Sequence, residues 1–131
     1  MNTAANSAAN SAAKSATFVL AIAQARRWYW QRISAMVLAL CVIGHIAVMI
    51  YAVRGGLDGA EILARTRGNL GFGVFYTVFV VACAVHVPVG LANIAVEWLR
   101  FTQAKALWAA RVVALLLLLT GLRAVYAVVW A

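Results

Sequence analysis

Charged residues are scarce in this chain. They make up 11% of its 131 residues, and only three of them are acidic. A soluble globular domain carries about 25% charged residues. Hydrophobic residues reach 66%, and the mean hydropathy is +0.94. The shortage of charge excludes an ordinary soluble domain and predicts an integral membrane protein.

The motifs of cofactor-carrying soluble enzymes are also missing. Cys41 and Cys83 stand apart in apolar runs, so no cysteine cluster offers ligands for an iron–sulfur centre. No glycine-rich phosphate loop or dinucleotide-binding fingerprint occurs. We therefore expect no flavin and no iron–sulfur cluster in this chain. The two thiols are predicted to be buried, with a disulfide between them as the alternative.

The positive charge has no single focus. The net charge is +8, but most basic residues flank hydrophobic stretches and form no patch. This distribution predicts topology and contact with lipid headgroups, and it argues against a nucleic-acid partner.

The N-terminal part of the chain differs from the rest in composition. Residues 1–15 are a low-complexity run of Ala, Asn and Ser, which predicts a disordered tail. The remainder, residues 16–131, is predicted to form one membrane domain. Within it, residues 26–30 read RRWYW, a basic and aromatic cluster typical of a membrane–water boundary. This cluster predicts an interfacial helix near residues 16–31.

Three hydrophobic stretches are long enough to cross a bilayer. About 20 residues of helix span 30 Å of hydrocarbon, and we predict transmembrane helices at 33–53, 70–99 and 107–130. The polar loop between the first two is predicted to contain a short surface helix from Asp58 to Thr66. The expected fold is therefore all-α, with three transmembrane helices after an N-terminal interfacial helix.

The basic residues also predict an orientation. Seven lie on the N-terminal side or near the connection between the second and third helices, and four lie on the other side. Because positive charge accumulates in cytoplasmic segments, this predicts a cytoplasmic N-terminus in a multi-pass protein of the bacterial inner membrane.

Two histidines, His45 and His86, are the only ones in the chain, and both lie within hydrophobic stretches. Titratable side chains inside a membrane are functional candidates. His45 follows Ser34 by eleven residues and His86 precedes Glu97 by eleven, about 16 Å of helix in each case. This predicts equal depth and two facing imidazoles holding a b-type haem. The alternative is a pair of hydrogen-bonded structural histidines, while two imidazoles alone make a poor zinc site.

Other candidate site residues lie near these histidines in the predicted helices. Gly90, one turn after His86, leaves space for a flat macrocycle. Arg32 and Ser34 open the first transmembrane helix, and a guanidinium there can hold a haem propionate or polarise a quinone carbonyl. Trp28 is a candidate cover for the quinone. The alternatives are an ordinary positive-inside anchor for Arg32 and an interfacial aromatic for Trp28.

These residues carry a resemblance to a known family. Residues 31–35, QRISA, are similar to an H/Q-R-x-S-G opening, and residues 86–91, HVPVGL, followed by Glu97, resemble an H-x-x-x-G-[IL]-R-H…D signature. Over about residues 28–130 the chain resembles the cytochrome b anchor subunits of succinate dehydrogenase and fumarate reductase, most closely the three-helix large-anchor type.

The resemblance implies a function. His86 would be an axial ligand of haem b, and Arg32 would lie near the propionates and the quinone. The chain alone would not be catalytic. It would pass electrons between a peripheral flavoprotein with an iron–sulfur subunit and membrane quinone. The second haem ligand would come from a second anchor chain or a further copy of this chain, or else from His45.

The sequence also departs from the family pattern. Ala92 and Asn93 stand where the family often has Arg and His, and Trp28 stands where some members have Ser. A haem-free structural anchor that docks a soluble enzyme and shapes a quinone site is therefore the alternative function.

Overall fold

The structure, a computed structural model, describes residues 3–131, with side chains from residue 6 onward. Residues 1 and 2 of the predicted tail lie outside this range. The regular structure of the described residues is entirely helical, which confirms the all-α prediction. Its elements are α1 (Thr3–Arg54), α2 (Gly59–Thr66), α3 (Leu70–Glu97) and α4 (Gln103–Val129).

Three of these helices are long and apolar enough to cross a membrane, as predicted. The stretches that meet this criterion are Asn6–Arg54, Leu70–Glu97 and Gln103–Val129. The second and third agree with the predicted segments to within a few residues. α3 continues through Pro88, which lies inside the helix.

The start of the first helix differs from the prediction. α1 is 52 residues long and runs without a break through the predicted tail and the predicted interfacial helix. A separate interfacial helix is therefore not seen between residues 3 and 54. The physical reason is that no Gly or Pro precedes Gly44, and alanine, the best helix former, is abundant in the first 25 residues.

Contacts divide the chain into two compact units, one ending at Trp30 and the other beginning at Gln31. In the first unit the described side chains are all exposed. The elements that position the candidate site all belong to the second unit.

α3 and α4 pack closely through small side chains. Ala106, Ala110 and Ala114 recur every four residues along one face of α4 and are at most 6% exposed. The first two form one buried cluster with Ala92 and Ala95 of α3. Small residues at this spacing let two helix backbones approach each other. The packing of α3 against α4 therefore holds α3 in position, and α3 carries His86 and Gly90 of the candidate site.

Glycines continue this interface toward the other end of the helix pair. A Cβ built on Gly121 of α4 would lie 2.7 Å from a methyl of Val80 on α3. A Cβ on Gly73 of α3 would lie 3.1 Å from the indole of Trp130. Both positions therefore require the absence of a side chain for the helices to come this close.

α2 confirms the predicted short surface helix. Its N-cap, Asp58, forms a capping box with Glu61: the Glu61 backbone N–H donates to the Asp58 carboxylate at 2.8 Å, and the Asp58 N–H donates to the Glu61 carboxylate at 3.1 Å. The buried Thr66 hydroxyl is within hydrogen-bond distance of the Val128 carbonyl, at 3.1 Å, and of two carbonyls of its own helix. The contact between Thr66 and Val128 brings α2 against the end of α4.

α1 meets α3 through side chains of greater reach. Opposite Gly44 of α1, the ring of Phe75 comes within 3.3 Å of where a Cβ would be. Cys41 is buried and Cys83 half-buried, and both are free thiols rather than a disulfide. The polar contacts between α1 and α3 form the candidate site.

Candidate functional site

His86 of α3 lies against the polar start of the second unit. Its Nδ1 is 3.3 Å from the Oγ of Ser34, and its Nε2 is 3.4 Å from the side-chain Nε2 of Gln31. Ser34 is only 4% exposed, so the contact is shielded. Gln31 and Ser34 are three residues apart on α1 and therefore share one helix face.

The Gln31 amide indicates one tautomer of the imidazole. The amide nitrogen can only donate, so in this orientation of the amide Nε2 of His86 accepts and the ring proton lies on Nδ1. Nδ1 then donates to Ser34, whose hydroxyl donates to the backbone carbonyl of Gln31 at 3.1 Å. With the amide turned round, its oxygen would accept from Nε2 and the ring proton would lie there instead. In either case both ring nitrogens of His86 have partners within the chain.

Gly90 borders the same nitrogen. A Cβ at this position would lie 3.2 Å from the Gln31 amide nitrogen and 4.0 Å from Nε2 of His86. The structure therefore brings together three predicted site residues, His86, Ser34 and Gly90. Gln31 also belongs to the site, although it was not among the predicted site residues. Its position three residues before Ser34, on the same helix face, is the feature of the sequence that indicates it.

Two buried polar atoms have no hydrogen-bond partner among the described residues. They are the Gln31 side-chain oxygen Oε1 and Nδ1 of His45. An unsatisfied buried polar group costs about 1–3 kcal/mol. The fold of the described residues therefore leaves Gln31 Oε1 and His45 Nδ1 without a hydrogen bond.

His45 lies in an aromatic environment away from His86. Its ring centroid is 6.1 Å from that of Tyr76 and 6.3 Å from that of Phe79, with the Tyr76 ring edge-on at 74°. Phe75 packs against the same tyrosine at 5.3 Å. No hydrogen bond connects His45 to the Ser34 and Gln31 contacts of His86.

The expectation of equal depth is therefore wrong. Ser34 lies beside His86, and His45 is eleven residues further along α1, a rise of about 16 Å. On α3 the neighbour of His45, Phe79, is seven residues from His86, about 10 Å. The prediction assumed that Ser34 of α1 and Glu97 of α3 lie at the same depth, whereas Ser34 lies at the depth of His86.

The separation of the two histidines decides whether both could bind the same haem iron. Bonds from a metal to imidazole are about 2 Å long, so two axial nitrogens on one iron stand about 4 Å apart. His45 and His86 are too far apart along their helices to share one iron. Of the two histidines, His86 is the one that would hold a haem iron, through Nε2 after displacement of the Gln31 amide. Across residues 3–131, no three His, Cys, Asp or Glu side chains converge on another metal site.

The remaining predicted site residues lie elsewhere in the structure. Arg32 is exposed in the second unit, next to Gln31 in sequence. Trp28 belongs to the first unit, and its indole is 60% exposed. Ala92 is 1% exposed in the α3–α4 interface, where a long basic side chain has no room.

Comparison with models of protein families, with curated proteins and with solved structures finds no match to this chain. Function is therefore argued from the residues and their geometry.

Proposed function

We propose that this chain is an integral membrane anchor that holds one b-type haem through His86 and passes electrons between a peripheral dehydrogenase and membrane quinone. The observation that carries the proposal is the bonding of His86. Its Nδ1 lies 3.3 Å from the oxygen of the buried Ser34, and its Nε2, beside Gly90, is 3.4 Å from the Gln31 amide, which is longer than a good hydrogen bond.

The membrane assignment is supported by length and by exposed apolar surface. α3 and α4 are 28 and 27 residues long, about 40 Å each, which exceeds the hydrocarbon thickness. Large hydrophobic side chains remain exposed along all three long helices, among them Ile43 at 66% and Leu119 at 57%. Lipid tails are the solvent that such a surface requires. The charge bias supports a cytoplasmic N-terminus in a bacterial inner membrane.

The bound haem would supply one-electron transfer. The role of the chain is to hold the iron through His86 Nε2 and to fix the imidazole orientation through Ser34. Because His45 lies about 10–16 Å from the level of His86, a second haem ligand would have to come from another polypeptide. A second anchor chain, or a further copy of this chain, is therefore part of the proposed assembly.

The proposed electron path needs two further partners. The chain carries no flavin or iron–sulfur motif, so these groups belong to a flavoprotein and an iron–sulfur subunit on the cytoplasmic side. Quinone is the membrane-soluble substrate. Arg32 is the residue proposed to polarise its carbonyl, with Ser34 as a further candidate contact. The resemblance to succinate dehydrogenase and fumarate reductase anchors supports this assignment.

A haem-free structural anchor is the second candidate, and one observation favours it. Both ring nitrogens of His86 already have partners within the chain, so the imidazole is satisfied without iron. In that case the site would serve only to join α1 to α3.

Purification from the native membrane tests the two candidates. The tagged chain is extracted in mild detergent, its co-purifying subunits are identified, and the reduced-minus-oxidised spectrum and quinone-reductase activity are recorded. We expect flavin and iron–sulfur subunits and the α-band of a b cytochrome. A colourless preparation with normal quinone reduction would favour the haem-free anchor. A preparation without redox subunits would contradict both.

A further inference from the structure

We infer that Gln31 is a displaceable cap on the iron-binding nitrogen of His86. The inference rests on the proposed haem ligation and goes beyond it, because it assigns a second role at the same site. The cap would occupy Nε2 before haem arrives and give it up when iron binds.

The contact itself defines the cap. The Gln31 amide nitrogen is 3.4 Å from His86 Nε2, and an amide NH₂ can only donate. In this orientation of the amide the acceptor is the single lone pair on Nε2, and the ring proton then lies on Nδ1, next to Ser34. One lone pair cannot bind the amide and the iron at once, so the two compete.

The cap is held weakly. Good N–H hydrogen bonds are about 2.7–3.2 Å long, and this one is 3.4 Å. In the capping position the other end of the amide, Oε1, is buried without a partner. Each of these features lowers the stability of the capped arrangement, so iron meets little resistance from Gln31.

Gly90 makes room for the cap. A side chain here would press on the Gln31 amide, since a Cβ would lie 3.2 Å from its nitrogen and 4.0 Å from Nε2 of His86. The absence of a side chain at position 90 therefore lets the amide rest on Nε2.

A haem titration tests the inference. The complex is purified from cells unable to make haem, and haem affinity is measured by difference spectroscopy for the wild type and for Gln31→Ala. Because the cap is held weakly, its removal should have an effect at the lower end of the range for losing a hydrogen bond, and we expect haem to bind roughly 2-fold more tightly to the variant. Ser34→Ala is the matched control on the same helix face, and it should bind haem more weakly.

The outcomes separate the cap from the haem proposal. Unchanged or weaker binding in Gln31→Ala, with normal binding in the wild type, would overturn the cap alone. No haem binding by the wild type would overturn the proposed function and the cap with it.

A second measurement does not depend on titration or on a variant that folds. Nitrogen-15 NMR of the haem-free wild type should show the Nδ1–H tautomer of His86. An Nε2–H tautomer would overturn the cap, because that nitrogen would then have no lone pair to accept the amide.

Discussion

Replacing each histidine separately should have opposite effects on the haem, even though both lie inside hydrophobic helices. We expect His86→Ala to lose the b-type spectrum, because it removes the nitrogen that faces Gly90. We expect His45→Ala to keep a six-coordinate, low-spin haem, since about 16 Å of helix separates His45 from the level of His86. The spectrum is recorded on the purified complex with all of its subunits.

His45→Ala should also leave stability almost unchanged. Removing the unpartnered Nδ1 relieves a burial penalty of about 1–3 kcal/mol. The lost ring contacts with Tyr76 and Phe79 offset this by about 0.5–1.5 kcal/mol each. The two effects have similar size and opposite sign, so thermal unfolding in detergent should shift little.

The reasoning would be refuted by the converse result. If His45→Ala abolished the haem while the complex remained assembled, the register between α1 and α3 described above would be wrong. If His86→Ala retained a normal low-spin spectrum, His86 would not be a ligand.

Three further changes test other parts of the account. Gly121→Ala should destabilise the α3–α4 pair by about 1–3 kcal/mol in thermal unfolding, because its Cβ would lie 2.7 Å from a methyl of Val80. Gly59→Ala is the control, because a Cβ there would meet nothing within 4 Å, and an equal loss of stability in the two variants would contradict the packing argument. Ser34→Ala should weaken haem binding by about 10- to 100-fold, as expected for loss of a residue that orients a metal ligand, and an unchanged affinity would remove Ser34 from the site. Asp58→Ala should cost α2 about 0.5–2 kcal/mol, seen as faster amide hydrogen exchange in that helix, whereas Asp58→Asn should retain most of the protection. Protection in Asp58→Ala equal to that of the wild type would show that the cap is not needed.

The number of long helices was predictable because hydrophobic runs of about 20 residues have few alternatives to a membrane-spanning helix. The start of α1 was not. A boundary was placed before Ile33 on the basis of basic and aromatic residues, which mark a membrane surface but do not interrupt a helix. Only Gly, Pro or a competing cap does so, and none precedes Gly44 in a position to break the helix.

The register between α1 and α3 was the other feature that could not be predicted from the sequence. Spacing along one helix is fixed at 1.5 Å per residue, but the sliding position of two antiparallel helices depends on which side chains interlock. Counting from presumed helix ends paired Ser34 with Glu97, whereas contact between Ser34 and His86 sets the register in the structure. The residues around His86 were found because they are polar in an apolar run, and Gln31 was missed because it lay at the assumed boundary.

The most direct test of the central claim is the amount of haem b per chain in the complex purified from its native membrane. It is measured as the pyridine haemochrome against the protein concentration of this subunit. The account predicts a b-type haem in proportion to the chain, lost from the same preparation of His86→Ala. A wild-type complex that is fully assembled and contains no haem would contradict it.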